Sequence, residues 1–226
     1  LGRPFALLDV WKDANGNVAG VDFGYVVVGK MTSLMATWPV GDDCVLWGPL
    51  GNGFPVSDVD RLCLVAGGIG VTPFLAVTNE VLGAQKYGNS NRIGSSRAKS
   101  VSLCYGARSE DYLMCVDRFR AIGAKMHIST DDGSCGHYGF ATDTLRELIQ
   151  SEDCPQAIYC CGPEPMMQAV GKMAAESHIP CWLSLETPMA CGFGICFSCV
   201  TRVRMDDGST DYRRTCVEGP VFRAEK

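Results

Sequence analysis

The stretch that decides the fold is Arg61-Leu-Cys-Leu-Val-Ala-Gly67-Gly-Ile-Gly-Val-Thr-Pro73. Its first six residues form an apolar run that is typical of a buried strand. Gly67, Gly68 and Gly70 allow a tight turn. Thr72 and Pro73 are typical of a helix start, because proline fits the first helical turn. A strand, a glycine turn and a helix in this order predict a phosphate-binding turn, although a purely structural turn has the same composition.

Downstream of this stretch, strand-like and helix-like runs alternate. The helix that starts at residue 72 is predicted to reach about residue 87. Further strands are predicted at 99–105, 125–130, 156–161 and 182–186, and further helices at 109–122, 142–149 and 166–177. Such alternation predicts a doubly wound parallel sheet, which we assign to a nucleotide-binding domain at 59–182. A segment rich in Gly, Ser and Asn, 83–97, is predicted to be an exposed loop.

Two more segments follow strands at the sheet edge where ligands bind. Cys161-Gly162-Pro163 forms a second turn there, and two turns on one edge predict a dinucleotide site. Cys161 either faces the nicotinamide or is a small buried residue. Asp131 and Asp132 follow another strand, where they either accept hydrogen bonds from ribose hydroxyls or form a solvated turn. Two carboxylates at this place favour NAD over NADP, because they repel a 2′-phosphate.

Four cysteines near the end of the chain have the spacing of an iron–sulfur site. Cys191, Cys196 and Cys199 follow the C-x4-C-x2-C pattern of plant-type [2Fe–2S] proteins, and sixteen residues separate Cys199 from Cys216. A zinc site or unpaired buried cysteines are the alternatives, but zinc sites favour paired C-x2-C units. We therefore assign 183–226 to a small C-terminal [2Fe–2S] module. Such a cluster moves single electrons, which indicates electron transfer.

The first 58 residues contain short β-like runs at 5–11, 21–28 and 44–48, separated by glycine-rich turns. They predict an antiparallel sheet, as part of a barrel. The sequence starts at Leu1, in an already patterned segment and without methionine, so we expect an N-terminal truncation and a partial barrel.

The composition excludes several classes of protein. The 226 residues are 46% hydrophobic with a net charge of −5, which favours neither a nucleic-acid nor an anionic-membrane partner. We find neither an eighteen-residue apolar run nor a signal-peptide pattern. Of the thirteen cysteines, those outside the iron–sulfur motif lie mostly in apolar runs and are interpreted as core residues. A reducing cytoplasm is the expected compartment.

Together these motifs resemble the ferredoxin–NADP reductase superfamily and, within it, the electron-transfer subunits of type B dihydroorotate dehydrogenases. The matching segments cover most of the chain in the expected order: 48–54, 67–73, 130–134, 161–163, 186–191 and 216–222. The resemblance implies an α/β plus β fold, with a truncated antiparallel flavin-binding barrel (1–58) ahead of the NAD-binding domain and the cluster module.

The resemblance also implies a route for electrons in de novo pyrimidine biosynthesis. A partner subunit oxidises dihydroorotate on FMN, and electrons pass through the [2Fe–2S] cluster and FAD to NAD+. The expected assembly is a heterotetramer with two copies of each subunit. The chain itself is expected to lack catalytic residues for dihydroorotate. The implied cluster ligands are Cys191, Cys196, Cys199 and Cys216.

Flavin-binding residues are implied by the resemblance alone. They are Arg3, Pro4, Phe5, Ala6, Gly24, Tyr25, Val26, Met31 and Thr32. Three of them depart from the family pattern: Ala6 replaces a serine, Val26 an arginine and Met31 a glycine. Because we also expect the first barrel strands to be missing from this sequence, we expect weakened FAD binding.

Three alternative functions stay open. A reductase that feeds an oxygenase would carry a whole ferredoxin domain, with a longer gap before its fourth cysteine. The small subunit of a sulfide dehydrogenase or of an NADH-dependent ferredoxin:NADP oxidoreductase shares the Thr130–Ser134 run, but one of its cluster ligands is Asp. A non-catalytic zinc-binding module would be colourless.

Overall fold

The computed structural model describes residues 3–55, 58–87 and 97–226. The start of the chain at Leu1 and most of the loop predicted at 83–97 lie outside the described residues. In the described part of the chain, no helix is both long and apolar enough to cross a membrane.

The N-terminal part forms a β-hairpin and a short helix. Strands β1 (Leu7–Lys12) and β2 (Val18–Phe23) pair antiparallel, as predicted, and helix α1 (Lys30–Met35) follows. The strand predicted at 44–48 is wrong, because this segment has no regular secondary structure. Prolines and glycines flank it, and within residues 3–55 the only strand pairing is the hairpin, so its backbone has no partner strand.

The rest of the chain builds a seven-stranded sheet and a second hairpin. In chain order its elements are β3 (Arg61–Gly67), α2 (Thr72–Val81), β4 (Ser100–Ala107), α3 (Val116–Ile122), β5 (Lys125–Thr130), β6 (His137–Tyr138), α4 (Ala141–Ile149), β7 (Ala157–Cys161), α5 (Glu164–Glu176), β8 (Cys181–Ser184), β9 (Val200–Arg204), β10 (Thr210–Arg214) and β11 (Val221–Arg223).

The large sheet has the strand order β11-β8-β7-β3-β4-β5-β6. All its pairs are parallel except β8 with β11. The predicted doubly wound sheet is confirmed, and the chain turns from one side of β3 to the other between β6 and β7. Ligands bind beside such a switch point, at the carboxyl ends of the strands.

Side chains of the central strand alternate between two cores. Leu62 and Leu64 belong to a core with Phe74 of α2 and Phe119 of α3. The intervening residues, such as Cys63, belong to a core on the other face, formed by α4 and α5. Two covered faces explain why β3 and β7 have continuous apolar sequences.

Four cysteines lie in the core under α4 and α5. Cys63, Cys104, Cys160 and Cys181 are buried there on four neighbouring strands, and the sulfur atoms of Cys63 and Cys104 are 3.9 Å apart. Hydrogen bonding to Cys104 and burial raise the pKa of Cys63 well above its ordinary value. Burial raises the pKa of Cys181 to about 12. Cys63 and Cys181 therefore keep their protons near neutral pH, and all four residues act as small core side chains, as predicted.

Several helix boundaries differ from the predicted ones. The helix after Pro73 ends at Val81 rather than near residue 87, because Gly83 takes a left-handed conformation (φ +75°) just beyond it. A 3₁₀ turn at Glu110–Tyr112 replaces the predicted helix start at Ser109. Helix α4 begins at Ala141, one residue before Thr142. The N–H of Phe140, the residue that precedes the helix, donates to Asp143 Oδ2 at 2.9 Å.

A buried carboxylate fastens the N-terminal hairpin to the sheet domain. Asp9 of β1 is 8% exposed. It accepts a hydrogen bond from the Tyr87 hydroxyl at 2.7 Å and pairs with the Arg118 guanidinium of α3. Gln85 Nε2 donates to the Val10 carbonyl oxygen at 3.0 Å. Because a buried charge requires partners, these contacts specify one orientation of the hairpin.

Candidate functional site

Two turns pack backbone to backbone at the carboxyl edge of the sheet. A Cβ atom added at Gly70 would lie 2.2 Å from the Cys161 carbonyl oxygen, and one added at Gly67 would lie 2.6 Å from Pro163 Cδ. Gly162 also packs against Gly67, since a Cβ atom added at Gly162 would lie 2.9 Å from the Gly67 nitrogen. The structure therefore brings the two predicted turns into one backbone-lined site.

The start of α2 completes this site. Gly68 has a left-handed backbone (φ +53°), and an added Cβ atom would meet no atom within 4 Å. The Thr72 hydroxyl donates to the Ile69 carbonyl oxygen at 2.9 Å, which closes the turn into the helix. Free N–H groups at a helix start bind anions, so a pyrophosphate fits the open side at Gly68.

The two predicted ribose-reading aspartates have different surroundings. Asp132 Oδ1 accepts hydrogen bonds from the Ser134 N–H at 3.0 Å and from its hydroxyl at 2.6 Å. These bonds hold the pKa of Asp132 below its usual value. Asp132 therefore shapes the turn after β5, whereas Asp131 is exposed beside it and can accept hydrogen bonds from a ligand.

Cys161 lies at the end of β7, between Ala66 of β3 and Ser184 of β8. Burial raises the pKa of its thiol to about 11, although a hydrogen bond with Ser184 opposes this shift. The thiol is therefore protonated at neutral pH. It packs against the core on the α2 face but stays partly exposed at the ligand edge, so both interpretations made from the sequence fit this position.

The flavin-motif residues border this edge. Phe5 stacks on Phe23 with ring centroids 5.1 Å apart and lies 6.1 Å from Tyr25. A Cβ atom added at Gly24 would lie 2.9 Å from Thr72 Cγ2. The structure thus brings the second predicted flavin segment against the nucleotide turn.

The other residues of the flavin motif are less closely tied to the sheet. Thr32 Oγ1 accepts hydrogen bonds from the N–H groups of Val28 at 3.0 Å and Gly29 at 3.2 Å, which closes the start of α1. Met31 is half-buried in the same helix. Exposed positions are occupied by Arg3, Pro4, Ala6 and Val26.

The four predicted cluster ligands form two pairs. Cys191 and Cys196, in the loop between β8 and β9, are hydrogen-bond partners. Cys199 ends that loop, and its sulfur lies 3.2 Å from the sulfur of Cys216. Among the described residues, no three His, Cys, Asp or Glu side chains are placed to share one metal ion. Two pairs match the two irons of a [2Fe–2S] cluster better than they match a single zinc ion.

Backbone and hydroxyl donors converge on the loop sulfurs. Hydrogen bonds from the Ser198 hydroxyl and its N–H lower the pKa of Cys196 to about 6. The N–H of Cys196, followed by that of Phe193, lowers the pKa of Cys191. Gly192 and Gly194 allow this wrapping through left-handed backbones of φ +80° and +87°. Donors aimed at thiolate sulfurs are what an iron–sulfur cluster requires.

Sequence reasoning missed the residue that docks the 47–54 segment on the cysteine module. Asn52 donates from Nδ2 to the carbonyl oxygens of Glu218 at 3.1 Å and Val221 at 2.9 Å, and its Oδ1 accepts from the Val221 N–H at 2.9 Å. The only signal in the sequence was the match of this segment to the family. In this docked segment, Leu50 and Trp47 lie within contact distance of a Cβ atom added at Gly192.

Comparisons with known proteins agree with this geometry. Residues 186–226 match the iron-sulfur cluster binding domain of dihydroorotate dehydrogenase B, and residues 64–172 match the oxidoreductase NAD-binding domain. The dihydroorotate dehydrogenase B (NAD(+)) electron transfer subunit of Caldanaerobacter subterraneus is 32% identical over all of this chain and 80% of its own length. Its counterpart from Clostridium perfringens is 35% identical over 98% of this chain and 79% of its own length.

A solved structure supports the same architecture. The NADH-dependent reduced ferredoxin-NADP oxidoreductase, studied for flavin-based electron bifurcation, superimposes with a TM-score of 0.71 at 27% identity. The match covers 99% of this chain and 79% of that one. The predicted family and the oxidoreductase role are confirmed: the chain belongs to the family of dihydroorotate dehydrogenase B electron transfer subunits.

Proposed function

We propose that this chain transfers electrons between a dihydroorotate-oxidising partner subunit and NAD+, by way of a [2Fe–2S] cluster and FAD. The observation that carries the proposal is the combination of two cysteine pairs with a backbone-lined nucleotide turn, against which the flavin segment packs at Gly24. The relatives' names supply the reaction, in pyrimidine biosynthesis. We propose the division 1–58, 59–182 and 183–226 for the flavin, NAD and cluster units.

In the cluster unit, Cys191 and Cys196 would hold one iron, and Cys199 and Cys216 the other. The bound cluster supplies one-electron transfer. The loop's own part is to present thiolates and N–H donors at one place and to keep Cys199 and Cys216 out of water, since both are buried.

The cluster loop also carries the proposed partner surface. Three apolar residues of this loop lie between Cys191 and Cys199. They are Phe193, Ile195 and Phe197, which are 57%, 73% and 60% exposed. Exposed apolar side chains grouped in one loop indicate a protein interface. We propose that the FMN-carrying catalytic subunit docks here, in a heterotetramer with two copies of each chain. A reducing cytoplasm fits the thirteen free cysteines.

Residues of both turns and of the flavin motif would bind the two cofactors at the carboxyl edge of the sheet. Gly67, Gly68, Gly70, Thr72 and Pro73 would cradle the pyrophosphate of NAD. Gly162 and Pro163 would form the opposite wall beside Cys161. The residues of the flavin motif would hold FAD on the hairpin side, next to Gly24, so that the two ring systems can meet at this edge.

The test is reconstitution with and without the partner. The chain by itself is expected not to oxidise dihydroorotate, because we identify no acid–base residues for that substrate in its sequence. Once FAD is loaded, it is expected to pass electrons from NADH to artificial acceptors. Together with the catalytic subunit it should support dihydroorotate-dependent reduction of NAD+. Failure of the reconstituted pair, with both subunits holding their cofactors, would contradict the proposal.

A second candidate function is favoured by one solved structure. The NADH-dependent reduced ferredoxin-NADP oxidoreductase shares the architecture across 99% of this chain. If this chain served such an enzyme, reduced ferredoxin and NADH would replace dihydroorotate as electron donors, and NADP+ would replace NAD+ as the acceptor. Activity with ferredoxin and NADP, but none with dihydroorotate, would establish this candidate instead.

We further expect the protein to prefer NADH over NADPH by at least about tenfold. A 2′-phosphate 4 Å from Asp131 would cost about 1 kcal/mol in water and about 4 kcal/mol near a protein surface. Replacing Asp131 by serine should shift the ratio of kcat/KM values toward NADPH. Asp132→Ser is the matched control, and it should act less on the ratio because Asp132 is bonded to Ser134. A natural preference for NADPH would show that Asp131 does not read the ribose.

A further inference from the structure

One arginine bridges the loop that carries three of the cluster cysteines. Arg214 is the last residue of β10, two positions before Cys216. Its Nη1 donates to the Gly194 carbonyl oxygen at 3.0 Å. Its guanidinium carbon lies 5.1 Å from the centre of the Phe197 ring. The side chain therefore contacts the loop on both sides of Cys196.

A carboxylate fixes the orientation of this arginine. Glu218, two residues after Cys216, accepts hydrogen bonds at Oε2 from Arg214 Nε at 3.2 Å and from the Arg214 N–H at 2.9 Å. Its other oxygen accepts from Arg213 Nη1 at 3.1 Å. The side chain of Arg214 is only 31% exposed and that of Glu218 only 28%. Bonds therefore run without interruption from the three-cysteine loop, through Arg214, to the turn with the fourth cysteine.

We propose that Arg214 is the positioning residue of the cluster site and sets its reduction potential. It holds the loop against the Cys216 turn, and it keeps one positive charge beside the place where an electron arrives. A cluster with four thiolate ligands becomes more negative on reduction, so a nearby cation favours the reduced form and a nearby carboxylate favours the oxidised form. The inference rests on the proposed function, because it requires a cluster at these cysteines.

Two variants separate the effect of charge on the reduction potential from the effect of the hydrogen bonds on cluster retention. Arg214→Gln and Glu218→Gln weaken the same hydrogen bonds but change the local charge in opposite directions. Both should speed loss of the cluster to a chelator, by about tenfold or more. The reduction potential should fall in Arg214→Gln and rise in Glu218→Gln. Arg214→Lys keeps the charge without the planar fork, so it should lose the cluster faster while its potential stays near the natural value.

The measurements are a redox titration followed by electron paramagnetic resonance and the half-life of the visible absorption under chelator. Arg204→Gln, at an exposed position of β9, is the control that removes the same charge away from the loop. Potentials that shift in the same direction in both glutamine variants, or no further than in the control, would overturn the inference. If Arg214→Gln does not fold, the potential of Glu218→Gln and the half-life of the cluster in Arg214→Lys decide the question. Absence of a cluster from the natural protein would instead refute the proposed function.

Discussion

Replacing Cys196 by serine is expected to remove the [2Fe–2S] cluster or to weaken it severely. A serine hydroxyl is a poor iron ligand, because it keeps its proton at neutral pH, whereas hydrogen bonds from Ser198 lower the pKa of the Cys196 thiol to about 6. Loss of one ligand leaves an iron of the pair with a single thiolate. The natural protein, prepared without oxygen, should be red-brown and contain about two irons per chain. The variant should be pale and contain little iron.

Two other cysteines serve as controls for this prediction. Cys44 is exposed and free, so Cys44→Ser should leave both colour and iron content unchanged. Cys63→Ser should also retain the cluster, although burying a hydroxyl in place of the thiol beside Cys104 would cost about 1–3 kcal/mol of the free energy of unfolding. Stoichiometric zinc without iron in the natural protein would refute the cluster assignment, whatever the variants do.

Replacing Gly70 by alanine is expected to disrupt the nucleotide site. The new Cβ atom would lie 2.2 Å from the Cys161 carbonyl oxygen and 2.8 Å from the Gly162 nitrogen, both of which are backbone atoms. The two turns would have to move apart, at a cost of about 1–3 kcal/mol or more in stability. A shift of this size at the ligand edge should slow flavin reduction by NADH about a hundredfold.

This effect is measured by rapid mixing with NADH and by urea unfolding of the same sample. Gly20→Ala in β2 is the matched control, because a Cβ atom there would meet no atom within 4 Å. It should change the free energy of unfolding by no more than about 0.5 kcal/mol. An unchanged rate of flavin reduction in Gly70→Ala would mean that the nicotinamide cofactor does not bind against this turn.

The sheet could be predicted because its strands are covered on both faces. β3 and β7 are continuous apolar runs that are bounded by glycine, proline and polar residues, and each is followed by a helix. The 44–48 run misled the prediction because Val45, Leu46 and Trp47 have strand propensity, yet a strand also needs a partner. In the described residues they remain exposed instead.

The candidate site was predictable where its chemistry depends on local spacing. Cysteine spacing predicted the four candidate ligands, and the glycines predicted the turn. Their pairing could not be read from the sequence, because the 3.2 Å approach of Cys199 to Cys216 depends on the β9–β10 hairpin between them. The role of Asn52 was equally hidden, since it bonds residues more than 160 positions away in the sequence.

The burial of Cys63, Cys104, Cys160 and Cys181 under α4 and α5 has a consequence for how the metal is acquired. Thiols without access to water neither capture iron nor exchange with other sulfur donors at a useful rate. Once the sheet has formed, incoming iron and sulfide therefore meet fewer competing thiols, and the cysteines of the C-terminal loop are favoured. We therefore expect folding of the large domain to favour the four proposed ligands over these core cysteines when the cluster is inserted.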